Sequence, residues 1–144
     1  MRVLIADDHA IIREAIRALL ETRGDLDVVA QAATGWEALA MARETTPDLA
    51  VVDFRLPELS GLDLIVALKK ELPTLEVLIY TMEDQEELRL AALQAGASGY
   101  VLKPDTERQL LPAIDALAAH RLFLHGKTLD GRLYQGPPLR PQQS

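Results

Sequence analysis

The stretch Val3-Leu4-Ile5-Ala6-Asp7-Asp8-His9-Ala10-Ile11-Ile12-Arg13-Glu14-Ala15-Ile16-Arg17-Ala18-Leu19-Leu20 decides the fold. Its first four residues are a short apolar, β-branched run of the kind that forms a fully buried strand. Two carboxylates end the run. After them Ile11, Ile12, Ala15, Ile16, Leu19 and Leu20 recur at a spacing that gives a helix one apolar face.

The same grammar repeats along the chain. Apolar runs at Leu26 to Ala30, Leu49 to Val52, Leu75 to Tyr80 and Gly99 to Leu102 read as four more buried strands, each followed by an amphipathic stretch such as Leu110, Ala113, Ile114 and Leu117. Helix starts are signalled by Thr34-Gly35-Trp36-Glu37 and Thr106-Glu107-Arg108-Gln109, which fit capping boxes, and by Ser60 and Asp84 as N-caps. The pattern is (βα)5. It predicts an α/β, doubly wound, five-stranded parallel sheet of the flavodoxin-like kind, covered on both faces by right-handed crossovers. The order 2-1-3-4-5 is the common one for five such units, though no residue pattern alone dictates it, and it places ligands beyond the carboxyl ends of the strands.

Composition bounds the function. The 144 residues suit one domain, and the absence of cysteine excludes thiolate catalysis, zinc–thiolate sites and disulfide frameworks. No apolar run approaches the ~20 residues that cross a bilayer, and the N-terminus reaches Asp7-Asp8 before a signal-peptide core could develop, so a cytoplasmic location and no membrane partner are expected. The net charge is −7, unevenly placed. Residues 1–120 carry 11 basic and 21 acidic side chains, whereas residues 121–144 carry four basic ones and Asp130 alone. With three glycines and three prolines in its last 19 residues, the 121–144 segment reads as a tail or linker after a 1–120 domain. Such a chain is not expected to bind DNA by itself.

The strand ends carry the chemistry. The first ends in Asp7-Asp8, the third in Asp53, the fourth in Thr81 and the fifth in Lys103, while the second ends blandly in Gln31-Ala32-Ala33. Singly these mean little, since an acidic pair before a helix is usually a solvated cap. In the expected order they converge on one mouth, where three carboxylates each raise the cost of ionising the next. A hard divalent cation, Mg²⁺ or Mn²⁺, removes that cost and leaves an open position for a phosphoryl oxygen beside a carboxylate nucleophile. Lys103 then offers a compact positive charge and Thr81 a hydroxyl donor.

Asp7-Asp8-His9, the run Asp53 to Gly61, Thr81, and Tyr100-Val101-Leu102-Lys103-Pro104 together resemble the signature of a two-component response-regulator receiver domain over residues 1 to about 120. Within that family they resemble the NarL/FixJ (LuxR-type) subfamily, whose members carry a DNA-binding helix-turn-helix after the receiver. The resemblance implies that Asp53 is the phosphoacceptor for a sensor histidine kinase and that Asp8, Asp53 and the backbone carbonyl of Arg55 ligate Mg²⁺, with Asp7 acting mainly through water. It implies that Lys103 binds the phosphoryl group, that Thr81 and Tyr100 form the switch pair, and that the Lys103–Pro104 bond is cis. Homodimerisation on phosphorylation is possible in such a protein, which catalyses only its own phosphorylation and dephosphorylation. Two positions depart from the pattern. Met82 replaces a small residue after the switch threonine and is expected to gate the site, whereas Leu56 for methionine conserves volume and is expected to be silent.

Other residues have plainer readings. His9 is read as a structural residue beside the acidic pair, Trp36 as packing, and Glu83 to Glu87 as a solvated helix start favoured by the helix dipole. A flavodoxin-like FMN carrier is disfavoured because Asp7-Asp8 stand where a phosphate loop is needed, and a dehalogenase-type phosphatase because Phe54-Arg55 follow Asp53 in place of x-Asp. A receiver-like module that has lost phosphorylation is disfavoured because acceptor and lysine are both present. Residues 121–144 leave no room for a helix-turn-helix, yet Leu139 to Ser144 resembles the opening of its first helix. The expectation is a sequence ending at the junction with an output domain for transcription. The alternative is a stand-alone receiver acting by protein docking or phosphorelay.

Overall fold

The computed structural model describes residues 1–124. Six strands, β1 (Arg2–Ala6), β2 (Asp27–Ala32), β3 (Leu49–Asp53), β4 (Glu76–Thr81), β5 (Gly99–Leu102) and β6 (Phe123–Leu124), form one parallel sheet in the order β2-β1-β3-β4-β5-β6. Helices α1 (Ala10–Leu20), α2 (Gly35–Thr45), α3 (Gly61–Glu71), α4 (Glu86–Ala95) and α5 (Thr106–Ala118) connect them. The first five strands keep the expected order. The two-residue β6 is additional: Phe123 pairs with Gly99 and Leu124 with Tyr100, so the chain just after α5 adds an edge to the sheet. The rest of the anticipated tail, Leu139 to Ser144 included, lies outside the described residues.

Successive strand residues face opposite ways, and two cores follow. Leu4, Ala50, Val52, Val77 and Ile79 pack with Ala38, Leu39, Leu64, Ile65, Leu68 and Ala92 of α2, α3 and α4. Val3, Ile5, Val51, Leu78 and Tyr80 pack with Ile16 and Leu20 of α1 and with Leu110, Ala113, Ile114 and Leu117 of α5. Of the apolar face read for α1, only Ile16 and Leu20 are fully buried, while Ile11 is 83% exposed.

Two of the four expected caps form as read. Ser60 accepts from the Asp63 N–H, and Thr34 accepts from the Glu37 N–H, with Glu37 Oε1 reaching back to the N–H of Ala33 instead of Thr34. The other two move. Asp84 pairs with Arg89, and α4 starts one residue later with Gln85 as its N-cap. Thr106 lies inside α5, because a 3-10 turn over Lys103–Asp105 leads directly into that helix. The Lys103–Pro104 peptide is trans, contrary to the expected cis bond. Pro104 sits in the first turn of the 3-10 segment, where its missing N–H leaves no bond unmade, so the ordinary trans isomer is accommodated. Among the described residues no helix is long and apolar enough to cross a membrane.

Candidate functional site

Parallel strands bring their carboxyl ends to one edge, and the chain leaves β1, β3, β4 and β5 there with polar residues. Asp7 follows β1, held by its N–H to the Ala32 carbonyl at 3.0 Å; Asp53 ends β3, Thr81 ends β4, and Lys103 follows β5. Ligand-capable atoms of Asp7, Asp8, His9 and Asp53 all lie within 4.8 Å of one another. The sequence-predicted acidic cluster is therefore assembled, with His9 added to it. The imidazole Nδ1 stands 3.0 Å from both Asp7 Oδ1 and Asp8 Oδ1.

Asp53 is only 2% exposed, and each of its oxygens has a partner. Oδ1 accepts from the Arg55 N–H at 3.0 Å, and Oδ2 accepts from Lys103 Nζ at 3.0 Å. Lys103 also lies 3.6 Å from Asp7 Oδ2. A fully buried Asp7 is thus kept ionised. Burial pushes its carboxyl upward, but the Tyr80 hydroxyl, the His9 N–H and the Lys103 ammonium prevail and hold it below the ordinary carboxylate range. The three carboxylates give an oxygen-rich donor set suited to a hard divalent ion, with the His9 imidazole and the Lys103 ammonium beside them.

Thr81 and Tyr100 belong to one hydrogen-bonded unit centred on Glu83. Thr81 is buried at the end of β4, and its Oγ1 accepts from the Glu83 N–H at 3.2 Å. Tyr100, on β5, is buried and donates its hydroxyl to the Glu83 carbonyl at 2.7 Å. Burial foremost, with Glu83 and Asp84 nearby, pushes its phenol up to about 12. The Glu83 carboxylate closes a fork on Arg55 Nε and Nη2. Met82 lies on the same rim, 68% exposed. Trp36, read as a packing residue, is 56% exposed in the first turn of α2, and Leu56 is buried in the core.

Sequence reasoning missed two features. The Arg55–Glu83 fork was foreshadowed by opposite charges two residues beyond Asp53 and Thr81 on neighbouring strands. The second is Tyr80, whose hydroxyl donates to Asp7 Oδ2 at 2.6 Å. A tyrosine in the otherwise aliphatic run Val77 to Tyr80 needed a buried polar partner, and that was the available signal. A cavity of about 610 Å³ between α1 and the start of α5, lined by Ile12, Ala15, Leu19 and Pro104, ends on Tyr80 and Lys103 behind the acidic cluster.

The sequence profile of the response regulator receiver domain family matches residues 3–115. The uncharacterized transcriptional regulatory protein YhcZ of Bacillus subtilis is 40% identical over 111 residues, covering 77% of this chain and 51% of its own length. The response regulator protein VraR of Staphylococcus aureus is 37% identical over 116 residues, covering 79% of this chain and 54% of its own. The chain thus spans about half the length of these curated relatives. Among solved structures, a LuxR-family two-component response regulator from Aurantimonas superposes with a TM-score of 0.81 at 40% identity, over 85% of this chain and 87% of that one. The signal receiver domain of the putative response regulator NarL from Mycobacterium tuberculosis gives 0.78 at 35% identity, over 83% and 97%.

Proposed function

From the premise that this chain belongs to the response regulator receiver family, we propose that it accepts a phosphoryl group on Asp53 from a phosphohistidine of a sensor kinase and passes the event to a protein surface. The observation that carries this reading is Asp53 itself, buried, with Lys103 on one oxygen and the Arg55 N–H on the other. Asp8, Asp53 and the Arg55 carbonyl would hold Mg²⁺, with Asp7 acting through water. When bound, that ion neutralises the carboxylates and the incoming phosphoryl oxygens.

The residues divide the remaining work. An Asp53 carboxylate oxygen bonds to phosphorus as the phosphorus–nitrogen bond breaks and its electron pair returns to the donor imidazole. Lys103 turns from Asp53 to a phosphoryl oxygen and carries its charge. Thr81, whose Oγ1 already accepts from the Glu83 N–H, has its O–H free to donate to a second phosphoryl oxygen. A movement of Thr81 pulls on Glu83, and Glu83 holds Tyr100, so the charge event reaches the face formed by α4, β5 and α5. Exposed Ile11 and Met82 beside the mouth offer apolar contact to a protein donor. Control of transcription, and dimerisation on phosphorylation, would belong to a longer protein; in one related structure, two RcsB dimers are bound to two parallel DNAs.

The test is incubation with acetyl phosphate and Mg²⁺, followed by intact-mass analysis and borohydride trapping. One phosphoryl group on Asp53 is expected. Labelling that survives Asp53→Asn, or that proceeds unchanged in excess chelator, would falsify the assignment.

A further inference from the structure

Tyr80 stands on β4 opposite Asp53 in the strand register, yet its hydroxyl reaches Asp7 beyond β1. Because β3 lies between β1 and β4, the Tyr80 and Asp7 side chains meet across two inter-strand spacings, roughly 10 Å. Leucine or valine would fill part of that volume but could not reach, and phenylalanine would reach without donating. The hydroxyl meets Asp7 Oδ2 at 2.6 Å, while Asp7 Oδ1 already accepts from the His9 N–H at 2.7 Å. Both carboxylate oxygens are thereby fixed, and the plane of Asp7 is set. The ring of the same tyrosine lies under Lys103, whose Nζ is 5.3 Å from its centroid, within cation–π range.

We propose that Tyr80 is a positioning residue of the acceptor site, orienting the Asp7 carboxylate toward the cation position and keeping the Lys103 ammonium on Asp53. This rests on the reading of the cluster as a divalent-cation and phosphoryl site. Lys103 has two carboxylates to choose between, at 3.0 Å and 3.6 Å. With the Tyr80 hydroxyl satisfying Asp7 Oδ2, the nearer partner remains Asp53. Without it, Asp7 Oδ2 is a buried oxygen short of a donor, and Lys103 is the group placed to supply one. The carboxylate would then be reoriented and the ammonium drawn from the nucleophile.

The experiment is Mn²⁺ binding, read as free ion by electron paramagnetic resonance on the unphosphorylated protein, for wild type, Tyr80→Phe, Asp7→Ala and the double variant. Tyr80→Phe keeps the ring and the packing, so it isolates the hydroxyl. An outer-shell partner of this kind is worth about ten-fold or more in metal affinity. Tyr80→Phe should therefore weaken Mn²⁺ binding about ten-fold in the wild-type background and by less than two-fold beside Asp7→Ala, measured at millimolar ion. A purely packing role predicts no change in affinity on the first substitution, or the same change in both backgrounds, and either result overturns the inference. A wild-type protein that binds no Mn²⁺ removes the acceptor-site reading and this inference with it. Binding that is intact in wild type and in Tyr80→Phe removes this inference alone.

Discussion

The Arg55 guanidinium and the Glu83 carboxylate lock together across the mouth of the acidic site, joining the loop after Asp53 to the loop after Thr81. Glu83 is also tied through its backbone, by its N–H to Thr81 and by its carbonyl to Tyr100. One residue therefore connects the loop after Asp53 with both Thr81 and Tyr100.

Opening that fork should alter the chemistry more than the stability. The Arg55 side chain is well exposed, and a surface ion pair contributes about 1 kcal/mol or less. Glu83→Gln should leave the denaturation midpoint nearly unchanged but shorten the lifetime of the phosphoryl group on Asp53 several-fold, because water gains access where the two loops part. The decay of the phosphorylated fraction by mass spectrometry checks this. An unchanged lifetime would show that the fork does not cover the acceptor.

Met82 is the second candidate at the rim. A long flexible side chain next to Thr81 narrows the approach of donor or water, whichever way it samples solvent. Met82→Ala should raise the rate of self-phosphorylation, of hydrolysis, or of both, by a few-fold. If both rates match wild type, Met82 has no part in controlling entry.

Legibility followed the physics of each element. Strands β1 and β3 to β5 were readable because burial on both faces demands unbroken apolar runs, and the site was readable because its residues stop those runs: Asp7, Asp53, Thr81 and Lys103. Helix starts were less so. Asp84 has the right chemistry for a cap but is captured by Arg89, and Thr106 is overridden by the 3-10 turn before it. Contacts between elements remote in sequence left almost no local trace. Tyr80 and Asp7 are 73 residues apart and Arg55 and Glu83 are 28 apart, so their pairing becomes visible only once the sheet order is known. The apolar spacing of α1 marked a helix correctly but not which of its apolar residues the core covers: Ile16 and Leu20 are buried, and Ile11 stays in solvent.

The first residue of α3 tests how tightly the loop after Asp53 is packed. A Cβ at Gly61 would stand 2.7 Å from both the Phe54 carbonyl oxygen and a Phe54 ring carbon. Glycine-to-alanine in a helix ordinarily gains up to about 1 kcal/mol, but here the clash involves backbone that cannot move away cheaply. Gly61→Ala should destabilise by about 1–3 kcal/mol and disturb phosphorylation, since Phe54 adjoins Asp53. A denaturant melt that is unchanged or improved would mean the loop yields more easily than the geometry implies.

Alkaline pH should weaken the fold through its two buried phenols. Burial, then the Asp7 carboxylate, pushes Tyr80 well above the ordinary tyrosine range, and burial raises Tyr100 to about 12. Both are neutral in the folded state while the unfolded chain ionises near pH 10. A raised native pKa contributes stability that is complete below the unfolded value and is lost as pH rises toward the native one. For Tyr100 alone the loss approaches about 2 kcal/mol by pH 12. Absorbance at 295 nm should show no more than one of the three tyrosines ionising near pH 10 in the native protein, and denaturation midpoints should fall from pH 9 to pH 11. Two or more phenols titrating at 10 with the fold intact would contradict the burial argument.

Binding of duplex DNA depends on cationic side chains that release condensed counterions, and a chain that brings few of them gains little affinity from that release. Residues 1–120 carry ten more acidic than basic side chains, and the carboxyl edge of the sheet concentrates Asp7, Asp8 and Asp53. Residues 121–144 supply Arg121, Lys127, Arg132 and Arg140, separated by glycines and prolines that do not suit the continuous helix a major-groove reader requires. Repulsion from the larger segment outweighs attraction by the smaller. This chain alone should therefore show no saturable duplex binding in a mobility-shift titration at about 150 mM salt, with or without beryllofluoride. Sub-micromolar, saturable binding would mean that four scattered cations suffice to build a DNA-reading surface.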